Sequence, residues 1–144
     1  MLIGEYSYSL DDKKRLSVPA KLRRAIGSKA VLTRGLDSCL VLYPMPEWEK
    51  LNNQLGQLSV GQGSTRSFVR LLLSGAMEVV LDSTGRVLVP EYLKDYAKLD
   101  KQVVMVGIGN RLEVWDKVIW EQYKNEAERT VGNVAEKLGE MGLY

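Results

Sequence analysis

Asp11-Asp12-Lys13-Lys14-Arg15-Leu16-Ser17-Val18-Pro19 comes back as Asp82-Ser83-Thr84-Gly85-Arg86-Val87-Leu88-Val89-Pro90. Asp, Arg, Val and Pro stand at matching places with an offset of 71 residues. Further along, Leu40-Val41-Leu42-Tyr43 matches Leu112-Glu113-Val114-Trp115, and Trp48-Glu49 matches Trp120-Glu121, now with an offset of 72. One inserted residue separates the two registers. A self-match of this length decides the fold before any single element does, because it makes the chain two copies of one unit. Copies of about seventy residues bury little core alone, so they are expected to pack on each other about a pseudo-twofold axis.

Around each Asp-x-x-x-Arg stretch the apolar pattern has period two. Leu2, Gly4, Tyr6, Tyr8 and Leu10 lead into the first, while Val79 and Leu81 enter and Val87 and Val89 leave the second. This is the pattern of strands entering and leaving a turn. Pro19 and Pro90 then open short helices, at Ala20 to Ile26 and at Glu91 to Ala97, where the missing proline N–H does no harm. Two strands follow in each copy: Ala30–Thr33 and Cys39–Tyr43, then Val103–Gly107 and Arg111–Trp115. A longer helix ends each copy, read from Trp48, Leu51, Leu55 and Leu58 and from Ile119, Tyr123, Ala127, Val131, Val134 and Leu138. The last stripe is expected to cover both its own domain and a neighbour, with Tyr123 and Val131 nearer the core and the places of Val134 and Leu138 left open. The organisation expected is a first unit at 1–58, a linker with a connecting helix from Thr65 to Gly75 at 59–76, and a second unit at 77–144.

Composition removes most other classes. The 144 residues include 20 Lys plus Arg and 18 Asp plus Glu, no His, and Cys39 as the one Cys. That leaves no His-based catalytic unit, no Cys/His zinc site and no intrachain disulfide. Gly61-Gln62-Gly63 and Gly107-Ile108-Gly109 lack the rest of a dinucleotide fingerprint and read as turns. Cys39, with no histidine to activate it, reads as a buried thiol, and Trp48, Trp115 and Trp120 read as core. No enzyme, cofactor, metal or small-molecule substrate is expected. The apolar runs are far too short to span a bilayer, so a cytoplasmic protein is expected.

Charge is distributed unevenly. Residues 13–34 hold eight bases (Lys13, Lys14, Arg15, Lys21, Arg23, Arg24, Lys29 and Arg34) and no acid, whereas from Asp116 onward six acids face four bases. Clustered cations at one end can neutralise phosphates. In each loop the short carboxylate can accept backbone N–H bonds while the arginine projects outward. Arg15 and Arg86 are thus candidate DNA readers, through the guanine O6 and N7 fork. Lys13 and Lys14 add phosphate contacts, and Asp11, Asp82 and Gly85 shape the loops. An intraloop Asp–Arg ion pair is the plainer reading of one such motif, weakened by its repetition. Lys14 stands where the second loop has Gly85, so a differently shaped first loop is expected.

On these motifs the chain resembles the MraZ family, bacterial transcriptional regulators with two tandem copies of an AbrB-like DNA-binding unit. The resemblance rests on Met1 to Tyr6, both Asp-x-x-x-Arg loops, Val18-Pro19-Ala20-Lys21, Leu32-Thr33-Arg34-Gly35-Leu36-Asp37, Tyr43-Pro44, Ser74-Gly75-Ala76, Gly85-Arg86-Val87, Tyr96-Ala97 and Trp115 to Tyr123. It implies an α+β fold, a β-rich barrel of two interlocked repeats of the swapped-hairpin type with peripheral helices. It further implies a ring-shaped homo-oligomer at the nucleoid, binding repeated double-stranded DNA sites ahead of the genes for cell division and cell-wall synthesis, with repression expected. The alternative is a structural protein whose basic surface binds an acidic protein partner.

Overall fold

The computed structural model describes residues 1–59 and 61–143. Val60, inside the expected linker, and Tyr144, at the end of the expected second unit, lie outside the described residues. The first copy contains β1 (Leu2–Ser9), β2 (Arg15–Ser17), a 3₁₀ turn (Ala20–Leu22) running into α1 (Arg23–Ile26), β3 (Lys29–Arg34), β4 (Leu40–Pro44) and α2 (Met45–Gly56). The connecting helix α3 (Gly63–Gly75) leads to β5 (Met77–Val80), β6 (Arg86–Leu88), α4 (Glu91–Tyr96), β7 (Gln102–Gly109), β8 (Leu112–Asp116) and α5 (Lys117–Glu140). Every expected strand and helix is present, with ends moved by a few residues.

The copies exchange strands. Six antiparallel strands lie in the order β1-β7-β8-β4-β3-β5, and β2 pairs separately with β6. That order reads the same from either end when the copies are interchanged. The first strand of each copy lies against the third strand of the other, as Leu2↔Gly109 to Ser9↔Gln102 and as Lys29↔Val80 to Leu32↔Met77. The axis passes between β4 and β8, which meet from Leu40↔Val114 to Leu42↔Leu112. The architecture is therefore α+β with a large antiparallel sheet, and among the described residues its hydrogen bonding is an open ladder plus a ribbon, without closure into a barrel.

The ribbon closes over the core. Leu16 and Val87, paired at its centre, are fully buried, as are Leu32, Leu40, Leu42, Met105 and Leu112 of the sheet and Ile26 and Leu93 of the short helices. Each such side chain contributes roughly 2 kcal/mol from apolar burial, and both copies supply it. A second tie runs through the Leu32 to Asp37 segment. The Arg34 guanidinium donates from Nη1 to Leu71 O (2.8 Å) and lies 5.9 and 5.7 Å from the rings of Tyr92 and Tyr96. Those tyrosines donate their hydroxyls to Gly75 O and Gly35 O. A side chain on Gly75 would meet Arg34 Nη1 at 2.8 Å, so this glycine lets the arginine pass between the copies.

Helix α5 departs from expectation. Asp116 caps it, accepting from Val118 N and Ile119 N, and Trp115, Trp120 and Tyr123 form a ring cluster with centroids 5.0 to 6.1 Å apart. Lys124 pairs with Glu5 on β1. Beyond that point the helix leaves the body: Val131 is 60% exposed and Val134 49%, so Val131 is not nearer the core. Periodicity correctly gives the helix but does not say that its partner surface ends at Lys124. Phe68, Leu71 and Leu73 on α3 are exposed as well.

Candidate nucleic-acid interface

Each loop is built on its own aspartate. In the first, Asp11 N donates to Arg15 O and Lys14 N to Asp11 O; in the second, Asp82 N donates to Arg86 O and Gly85 N to Asp82 O. The four distances lie between 2.9 and 3.1 Å. Oδ1 of Asp11 accepts from Lys13 N and Arg15 N, and Oδ1 of Asp82 from Thr84 N, Thr84 Oγ1 and Arg86 N. Oδ2 then takes the arginine Nε, at 2.8 Å in both loops. Several N–H donors on one carboxylate favour its charged form. Asp11 and Asp82 are both held below the ordinary carboxylate value, chiefly by the backbone N–H of Arg15 and of Arg86, against a smaller opposing effect of burial.

The first loop is not differently shaped. Lys14 adopts φ 59° where Gly85 has φ 78°, so a lysine occupies left-handed backbone in order to keep the same turn. The side chains around the turns do differ. Lys14 Nζ is ion-paired with Glu91 at the start of α4, Lys13 is exposed, and Gly85 is buried beneath Arg23 of the first copy.

Strand exchange brings the loops together. Val18 N donates to Gly85 O at 2.9 Å and Val89 N to Lys14 O at 2.8 Å, two equivalent bonds across the axis. The ribbon pairs Arg15 with Leu88, Leu16 with Val87 and Ser17 with Arg86. Because Leu16 and Val87 point inward, the alternation of strand side chains sends Arg15 and Arg86 to the outer face. By strand geometry they stand about 8 Å apart. Arg86 Nη1 is also 3.8 Å from Asp11 Oδ2, so one carboxylate faces both arginines. Their side chains are 31% and 32% exposed, with Nε bound inside the loop.

The sequence puts Arg23 in the basic run but not over the second loop, and gives no role to Glu91. The available signal was the glycine at position 85: where one copy has Lys and the other Gly, something else can fill the space. Elsewhere, Cys39 is fully buried, its Sγ donates to Leu36 O, and burial with Glu113 nearby pushes its thiol up to about 12. Trp115 lies in the core. Among the described residues no group of carboxylates and thiol could hold a metal ion, and no helix is long and apolar enough to cross a membrane.

Two strand-exchanged copies that lift paired aspartate-pinned arginines on a single ribbon define a tandem-repeat α+β protein with one composite loop surface. The family follows from comparison with known proteins. The family model "MraZ protein", described as antitoxin-like, matches residues 1–71 and again 72–138. The transcriptional regulator MraZ of Pelotomaculum thermopropionicum is 44% identical over 143 residues, covering 99% of both chains. That of Clostridium beijerinckii is 46% identical over 99% of this chain and 100% of its own, and that of Natranaerobius thermophilus 45% over 96% of both. The chain belongs to the MraZ family, a family of transcriptional regulators and not of enzymes.

Proposed function

We propose that the chain binds double-stranded DNA sequence-specifically through its two Asp-x-x-x-Arg loops. The observation that carries this reading is the ribbon with Arg15 and Arg86 side by side on its outer face. A major groove accepts a two-stranded ribbon, and a pinned guanidinium suits the O6 and N7 edge of guanine. Lys13 and Lys14 reach phosphates; the surface pair of Lys14 with Glu91 is worth no more than ~1 kcal/mol and does not prevent this. Asp11, Asp82 and Gly85 keep the turns. Strand exchange supports the swapped-hairpin, AbrB-type description, with the ribbon lying across the sheet as the near-closed side of a barrel.

Resemblance to the family extends the reading to repression from repeated sites upstream of the cell-division and cell-wall genes, carried out in the cytoplasm at the nucleoid. Self-association into a ring accords with the apolar residues left open on α3 and α5. A ring presenting several loop pairs raises affinity for neighbouring sites by ~10² to 10⁴ fold. The test is a gel shift with the gene's own upstream region. Arg15→Ala and Arg86→Ala should each weaken specific binding by ~1 to 3 kcal/mol, and duplexes with three repeats should bind far better than duplexes with one. Wild-type affinity in both folded variants would overturn the reading and favour the acidic-protein alternative.

A further inference from the structure

The space over Gly85 is filled from the other copy. An ideal Cβ at Gly85 would lie 2.1 Å from Arg23 Nε and 2.4 Å from Arg23 Cζ, so the guanidinium of Arg23 rests on the second loop. Arg23 Nε donates to Val18 O at 2.9 Å, and Val18 N donates to Gly85 O at 2.9 Å. One residue of the ribbon segment thus fastens both the loop and the arginine above it. The Nη nitrogens of Arg23 have neither a hydrogen-bond partner nor a carboxylate at ion-pair distance among the described residues. Arg15 and Arg86 are likewise fastened by Nε to the protein, Arg86 with Nη1 also 3.8 Å from Asp11 Oδ2.

The copies differ at this point. Position 23 corresponds to Lys94 and position 91 to Ala20, so the first loop receives a carboxylate, Glu91, from the opposite copy while the second receives a guanidinium. The second loop has one cation of its own, Arg86, against three in the first. We propose that Arg23 is a third DNA-contacting arginine, a backbone-phosphate clamp seated on Gly85 that supplies the second loop with the cation its own sequence lacks. This deepens the DNA reading above and rests on it. A guanidinium fixed through Nε presents a planar pair of donors, a match for two phosphate oxygens that a free side chain reaches only by losing rotamer freedom.

The experiment measures binding of the full chain to two duplexes, its own upstream region and a random sequence of equal length, over a series of salt concentrations. Arg23→Ala and Arg23→Gln should weaken both duplexes by similar factors, roughly tenfold at low salt. They should flatten the log–log salt dependence by about 0.9 per engaged protomer. Arg23→Lys should keep most of that slope, and Arg23→Gln retains an N–H donor for Val18 O should the alanine variant unfold. Arg86→Ala should instead reduce mainly the preference for the upstream duplex, weakening binding to it more than to the random duplex. A wild-type slope in both Arg23→Ala and Arg23→Gln, whatever the affinity, would overturn the proposal and leave Arg23 as a brace for the loop. Absence of any response to Arg86→Ala, or of DNA binding by the wild type, would fell the underlying reading and the clamp with it.

Discussion

The loops at Asp11 and Asp82 share a backbone and differ in how charge reaches them. The first carries its cations in its own sequence and keeps a lysine in left-handed backbone, while the second uses glycine and is covered by an arginine from the other copy. The lesson is that the aspartate, with its two backbone N–H partners and its hold on the arginine, sets the turn. The residue before the arginine sets only what surrounds it. A position that sequence comparison marks as a departure can leave local geometry intact and change the electrostatic neighbourhood instead.

The largest expected effect comes from removing the aspartates, and it should be unequal. Asp11 faces Arg15 at 2.8 Å and Arg86 at 3.8 Å, whereas Asp82 pins Arg86 alone. Asp11→Ala should therefore weaken specific DNA binding by about 100-fold and Asp82→Ala by about tenfold, within the span of one or two lost arginine contacts. Equal losses would break the asymmetry. The same carboxylates set an acid limit. Their folded values lie below the ordinary 3.8, so the order they give the loops is complete above that value and is lost as pH falls through the lower folded one. The Nε–H signals of Arg15 and Arg86 in NMR should stay constant from pH 8 to 5 and collapse only below 3.8.

Converting the second loop into the first comes next. Gly85→Lys places a side chain at φ 78° and into the seat of Arg23, and should cost about 2 kcal/mol of stability by chemical denaturation. An unchanged midpoint would mean that Arg23 is not anchored. The reverse change has the smallest effect. Lys14→Gly relieves left-handed strain and loses an exposed ion pair, a net gain of about 0.5 kcal/mol, while the salt dependence of DNA binding weakens by up to ~0.9 per protomer.

Much of this was legible from the residues. The offset match gave two copies, period two gave the strands, and the prolines gave the short helices, because these signals are local. Which strands pair was not legible: β1 and β7 are joined by a register across some hundred residues that no local pattern encodes. The exposure of Val131 was missed because an amphipathic stripe marks a face and says nothing about where the covering surface stops. Arg23 lay within the basic run singled out from sequence, and only the exchange of strands places it over Gly85. The Leu32 to Asp37 motif carried the family resemblance together with the paired loops; its physical reason, Arg34 threaded between Gly75 and two tyrosines, exists only once the copies are packed.

The exchanged strands also set when folding can follow synthesis. Ser9 pairs with Gln102 and Leu2 with Gly109, so β1 is translated about a hundred residues ahead of its partner β7. At 5 to 20 residues per second that delay is roughly 5 to 20 s. During it the nascent protein carries an unpaired strand edge and half of a core, and pairing across such distances makes folding slow once it begins. A ribosome that stalls or stops between the copies leaves no smaller working version behind, since the first copy lacks the strand that would complete its sheet.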